Sequence, residues 1–283
     1  MKKLPAFIKQ YPSFTILTIL AAALLLIAVF AFAIAPQDPY ESVLQDALQA
    51  PSSEHIFGTD KLGRDIFSRI IYGGRISLSA TLSLVIAVFL IGSILGMISG
   101  YFGGVIDAVI MRIADMMVSF PGMILAIAVA GIMGASIRNA VIAVALVTWP
   151  KYARMARSLV LKVKNTPYIQ AAQTTGAKTG TILMKYLFPS VTPTLVVTAA
   201  TDIGGLMLEL AGLSFLGFGA VAPQAEWGLM LSEGRAYMQS AWWMMIYPGL
   251  AIFTTVVIFN LWGDALRDIM DPGMKEGKSL WNS

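Results

Sequence analysis

The amino-acid sequence predicts an all-α integral membrane protein with six transmembrane helices and both termini on the cytoplasmic side. Three observations carry this. Hydrophobic residues make up 57% of the 283 and charged residues only 13%, with a mean hydropathy of +0.73, outside the range of a soluble domain. The apolar residues fall in long, nearly uncharged runs of bilayer length rather than alternating with polar ones. Lysines and arginines crowd beside those runs, as orientation signals do.

The first run, Phe14 to Ala35, follows Lys2, Lys3 and Lys9 and has the outline of a signal peptide, with Ala33 and Ala35 near its end. At about 1.5 Å rise per residue it is long enough to cross a hydrocarbon core of about 30 Å, so it reads as an uncleaved first helix. The others are Ser77 to Gly100, Val105 to Met133, Ile137 to Arg154, Val191 to Phe218 and Trp243 to Leu261. Trp149, Pro150 and Lys151 interrupt the fourth, which leaves a re-entrant or tilted segment as the alternative there.

Lys151, Arg154, Arg157, Lys162, Lys164, Lys178 and Lys185 gather between the fourth and fifth helices with no acid among them, which sets that loop on the cytoplasmic side. The chain then divides into a cytoplasmic N-terminus (1–13), a first helix (14–35), an external loop (36–75), a core of 76–264 with a cytoplasmic loop at 155–189, and a cytoplasmic tail (265–283). The external loop carries six acids from Asp38 to Asp65 and a short interfacial helix, Ile66 to Tyr72. A second external loop, Gly219 to Trp242, holds tryptophans suited to the headgroup level.

Composition excludes several classes. The net charge of +4 and pI near 9.2 come from basic residues beside apolar segments, not from a nucleic-acid-binding face. With no cysteine there is no disulfide frame, thiolate site or cysteine nucleophile. His55, the only histidine, is weak evidence for a metal site, and the sixteen methionines read as lipid-facing or core filler. Lys178-Thr179 lacks the glycines of a phosphate loop, and no Ser, His and Asp share one membrane depth.

Within the helices, Gly92, Gly96 and Gly100 recur every four residues and expose bare backbone for close helix packing. Arg112 and Asp115, at i and i+3, read as a structural ion pair, and Pro121-Gly122 permits a bend. Asp202, Gly205, Glu209 and Gly212 share one stripe of the fifth helix. Acids at membrane depth face a bundle interior or an aqueous path, so the stripe is a candidate translocation lining. Pairing of either acid with an Arg or Lys carries equal weight.

Gln170-Ala171-Ala172, then Gly176, then Tyr186-Leu187-Phe188-Pro189, resembles the EAA motif of ATP-binding-cassette importer permeases, spacing included. Ala171, Ala172, Gly176 and Pro189 match; Gln170 stands where the motif has Glu, so the contact there rests on shape and hydrogen bonding more than on charge. Small residues suit a helix that fits a partner's groove, and Gly suits a sharp backbone turn. With His55 to Leu78, Met111 to Pro121, Leu213 to Gly219 and Asn260 to Pro272, the chain is similar to the second permease of dipeptide, oligopeptide and nickel importers.

That resemblance implies a type 1 permease fold, a bacterial inner-membrane location and no catalytic residue. It implies a homologous permease as heterodimer partner, two ATP-binding subunits that hold the ATP and Mg, and an extracytoplasmic binding protein. The motif residues would form a coupling helix for the ATPase. Tyr152 to Val160, Asp202-Ile203-Gly204 and Ala225-Glu226-Trp227-Gly228 look closer to nickel than to peptide permeases, which implies nickel, favoured as a chelate, with peptide as the alternative. A channel or ion-driven transporter would also have six spans and two acids but not the spacing from Gln170 to Pro189.

Overall fold

The computed structural model describes residues 10–270. The lysines at both ends (Lys2, Lys3, Lys9, Lys275, Lys278), Pro272 and both termini lie outside them. Among the described residues the chain is helical, with one isolated β-bridge between Thr59 and Asp65. Four helices are long and apolar enough to cross a membrane, five if one sharply bent pair counts as a single span.

α1 (Pro12–Val29) has Pro at its start, where the missing N–H costs nothing. It buries only Ala21 and Ala28 and is held at one end by a stack of Phe14 on Trp262, with ring centroids 6.2 Å apart. The expected interfacial helix at Ile66 to Tyr72 is instead the first two turns of α2 (Ile66–Phe102), 37 residues without a break. Asp65 explains the start: its carboxylate accepts from the Ser68 N–H at 2.8 Å and lies 3.1 Å from His55 Nδ1. His55 is thus a buried partner of a helix cap.

The third apolar run splits into α3 (Gly104–Val118) and α4 (Gly122–Met133), bent by 93° at the break. Pro121 sits at the start of α4 with extended ψ, so the break is a corner rather than a kink. α5 (Ile137–Val163) runs unbroken through Pro150, correcting the expected interruption there. Because it continues past Arg154, Lys151, Arg154, Arg157 and Lys162 lie on a helix and not in a loop. It is not among the helices apolar enough to count as a span.

The glycines of α2 do what their spacing suggests. A Cβ on Gly92 would come within 2.8 Å of Trp149 O, on Gly96 within 2.7 Å of Ala156 Cβ, and on Gly100 within 2.9 Å of Val160 Cβ. α2 and α5 therefore meet backbone to backbone along this line.

After a short helix α6 (Pro167–Thr174), α7 (Thr179–Phe215) opens with a π-turn over Ile182–Leu187. Pro189 just beyond has no N–H for the Lys185 carbonyl, so the α-ladder is interrupted where the wider turn occurs. The second outer segment folds inward as α8 (Trp227–Gly234), capped by Glu226, whose carboxylate accepts from Gly228 and Leu229 N–H and from Ser77 Oγ. Trp227 is buried, donating from its indole to Ile70 O at 2.9 Å, and Trp243 is buried too. Of the two tryptophans expected at the headgroup level, Trp242 is exposed and Trp227 is a packing contact. α9 (Trp243–Met270) closes the bundle.

A buried charge cluster ties the two outer segments together. Arg64 Nε lies 2.6 Å from Asp60, and Arg64 and Arg69 reach Glu233 of α8 at 3.2 and 3.5 Å. Arg69 also donates to Pro39 O at 3.0 Å. Both guanidiniums are about 1% exposed, so each needs these acceptors to offset lost hydration.

Candidate functional site

Two groups of residues are candidates. The first is the turn around α6. Pro167 starts the helix, and Ile169 and Ala172 turn into the protein while Gln170, Ala171 and Gln173 face outward. Of the two motif alanines, Ala172 anchors α6 to its own chain and Ala171 is exposed. Thr175 Oγ1 donates to Ala171 O at 3.0 Å, finishing the helix. Gly176 then takes φ +79°, the left-handed conformation that reverses the chain, with nothing within 4 Å of where a Cβ would sit. Pro189 is exposed on the first turns of α7. Gln170, Ala171, Gly176 and Pro189 thus share an outward surface, and Ala172 supports it from below.

The second group lies inside the helices. Asp202 of α7 accepts from Lys151 Nζ at 2.6 Å and from the Tyr152 hydroxyl at 3.0 Å, joining α7 to α5. The stripe is divided in function. Asp202 is ion-paired; Glu209 is exposed and makes no ion pair among the described residues. Gly205 faces open space, while a Cβ on Gly212 would come within 2.9 Å of Met123 of α4, so Gly212 is a packing contact. Lys151 and Tyr152 belong with this group although the sequence reading counted Lys151 only as an orientation charge. The available signal was its position beside Pro150, inside an otherwise apolar run.

Two further pairs bind α3 to α5. Asp107 holds Arg157 through both oxygens at 2.6 Å and also accepts from Ser99; Asp115 holds Arg154 at 2.8 Å. The expected pairing of Asp115 with Arg112 is therefore replaced by one between helices, since α3 packs on α5 and brings Arg154 within reach.

Residues 92–276 match the family described as binding-protein-dependent transport system inner membrane component. The chain belongs to this family. Similar proteins include the dipeptide transport system permease protein DppC of Alkalihalophilus pseudofirmus, 44% identical over 91% of this chain and 84% of that protein. The nickel transport system permease protein NikC of Escherichia coli K12 is 41% identical over 94% and 96%. The glutathione transport system permease protein GsiD of Pectobacterium atrosepticum is 46% identical over 89% and 84%.

Among solved structures, the inward-facing MetNI methionine ABC transporter aligns with 73% of this permease and 98% of that chain, at TM-score 0.58 and 20% identity. The permease therefore has the type 1 ABC importer fold. It is a non-catalytic inner-membrane subunit that works with ATPase and substrate-binding partners, and ATP is hydrolysed on the separate ATPase subunits.

Proposed function

We propose that this permease forms half of a translocation path, that a homologous permease forms the other half, and that two ATP-binding subunits, which hold the ATP and Mg, dock on the surface of Gln170, Ala171, Gly176 and Pro189. A binding protein delivers cargo from the outside, and six crossings leave both termini in the cytoplasm. The observation that carries the reading is the group of Lys151, Asp202 and Glu209. All three sit within long helices, yet Lys151 is 52% exposed and Glu209 is exposed at the bundle surface. A charged side chain at the centre of a lipid-facing helix costs about 2.5–3.5 kcal/mol on insertion scales. That surface is accordingly turned toward an aqueous path shared with the second permease, not toward lipid.

The charge pattern also bears on cargo. Among the described residues no three His, Cys, Asp or Glu side chains gather to hold a metal ion, and Lys151 already neutralises Asp202. A bare cation finds one free acid, Glu209. A solute carrying an amine finds the same acid, and its carboxylate would reach Lys151 only by sharing it with Asp202. Nickel in chelated form is our first reading, supported by the likeness to NikC; a short peptide is the second, supported by the likeness to DppC. Uptake of radioactive nickel, with and without a chelator, against labelled dipeptide in the reconstituted complex separates them. Peptide uptake without nickel uptake would reverse the order. Unchanged uptake of either cargo in an assembled Asp202→Asn, Glu209→Gln variant would sink the path assignment itself.

A further inference from the structure

α1 packs on α2 and α9, burying Ala21 and Ala28. Near one end Trp262 of α9 donates to Thr18 Oγ1 at 3.0 Å; toward the other, Ala28 is close to Gly74 of α2, where an added Cβ would lie 3.9 Å from it. Beside this second contact α1, α2 and α9 leave a cavity of about 360 Å³, within the range of about 300–1,000 Å³ typical of ligand sites.

The walls are apolar: Leu24 and Ile27 from α1, Ile71 and Leu78 from α2, Leu250 from α9, with Trp227 at one side. Trp227 donates to Ile70 O and Thr255 to Ala251 O, which leaves the Thr254 and Tyr247 hydroxyls as the other side-chain polar groups of the lining. Water entering would find few partners, and apolar cavities of this kind stay dry. Nor is the space sealed. Ile27 and Leu250 line it and are 42% and 51% exposed, whereas Ile71, Leu78 and Thr255 are buried. The slot therefore opens on the outer surface of two apolar spans and reaches into the core.

In a bilayer the surrounding solvent at such a mouth is hydrocarbon. An empty slot forfeits dispersion contacts along its walls, and a flexible acyl chain can enter without desolvating any polar group. We infer that this slot is a binding site for one acyl chain of a membrane lipid, which completes the packing of α1 against the rest of the permease.

The test uses the whole importer in phosphatidylethanolamine–phosphatidylglycerol vesicles doped with a lipid bearing a diazirine midway along one acyl chain. Illumination is expected to label the buried residues Ile71 and Leu78. Ala251→Phe, which fills the slot from α9, is expected to abolish that label while Phe253, exposed on α9 outside the slot, stays labelled. Label confined to exposed positions such as Phe253 would overturn the inference, as would label on Ile71 that persists in the filled variant. Crosslinks from Ile71 to the partner permease in place of lipid would overturn it as well. Should the Phe variant fail to assemble, Ala251→Leu is read by the same criteria.

Discussion

Gly176 offers a substitution series in which one physical term can be isolated. Its φ of +79° is unfavourable for any residue with a Cβ, yet nothing lies within 4 Å of where that Cβ would sit. Steric collision inside this chain is therefore absent, and the cost of Gly176→Ala is the backbone term alone, about 1–2 kcal/mol. That shifts the balance between the formed turn and its alternatives by a factor of about 5–30. Asn tolerates the left-handed region better than Ala, and a β-branched residue tolerates it worse. If the turn holds α6 in its docking pose, substrate-stimulated ATP hydrolysis linked to transport in the reconstituted complex should fall in the order Gly, Asn, Ala, Val. Gln170→Ala, on an exposed side chain in regular helix, should lose less than Gly176→Ala. Coupling kept at the Gly level in both the Gly176→Asn and Gly176→Val complexes would refute the conformational account. Loss with Asn as severe as with Val would instead mean that the partner packs directly on the bare glycine.

Lys151→Met removes the cation from Asp202 and leaves a carboxylate held by Tyr152 alone, a loss of about 1–3 kcal/mol for an acceptor short of partners; pairing it with Asp202→Asn should restore assembly but not transport, as read by complex yield and uptake. Gly96→Leu forces a side chain against Ala153 and Ala156 and should destabilise the α2–α5 contact by about 1–3 kcal/mol, seen as a lower thermal midpoint in detergent; an unchanged midpoint would mean the helices separate freely. Asp65→Ala takes away the α2 cap and the His55 partner together and should cost about 0.5–2 kcal/mol, visible as faster proteolysis of the 36–65 segment with α2 otherwise intact.

Much of the membrane character was legible because hydropathy reports burial in lipid one residue at a time. Each apolar run is helical, but the third is two helices set at 93° and only four helices, five with that pair, are long and apolar enough to cross a membrane; the glycine line of α2 predicted its close neighbour. What sequence could not convey is where charges find partners across the bundle. Asp115 has Arg112 one turn away but binds Arg154, since α3 packs on α5 and brings it within reach. Lys151 counted toward orientation because a basic residue near a Pro looks like a helix end, whereas the helix continues and turns the charge into a partner for Asp202. Trp227 looked interfacial by type, but folding of α8 onto α2 buries it, with Glu226 and Ser77 supplying the polar links. Motif spacing singled out the turn around Gln170. The division of labour between Ala171 outside and Ala172 inside required the three-dimensional arrangement.

These placements converge on α5. It packs along its length on the glycine face of α2, holds α3 through Arg154 and Arg157, and holds α7 through Lys151. Its last turn passes Lys164, which donates to Gly100 O at 3.0 Å, and only residues 164–166 separate it from α6. A linker this short, with Lys164 tied to α2, leaves little slack, so under the proposed docking any displacement of α6 must be taken up by α5 or by the turn at Gly176. Along a continuous α-helix the rise is about 1.5 Å per residue, so the stretch from Lys151 to Val163 carries such a displacement about 18 Å without a hinge. The groups at the far end of that rod are Lys151 and Tyr152, both bonded to Asp202. On the proposed docking and path, the helix that leads into α6 on the cytoplasmic side also holds the pair of Lys151 and Asp202, the arrangement an importer needs if nucleotide-driven motion is to alter cargo contacts directly.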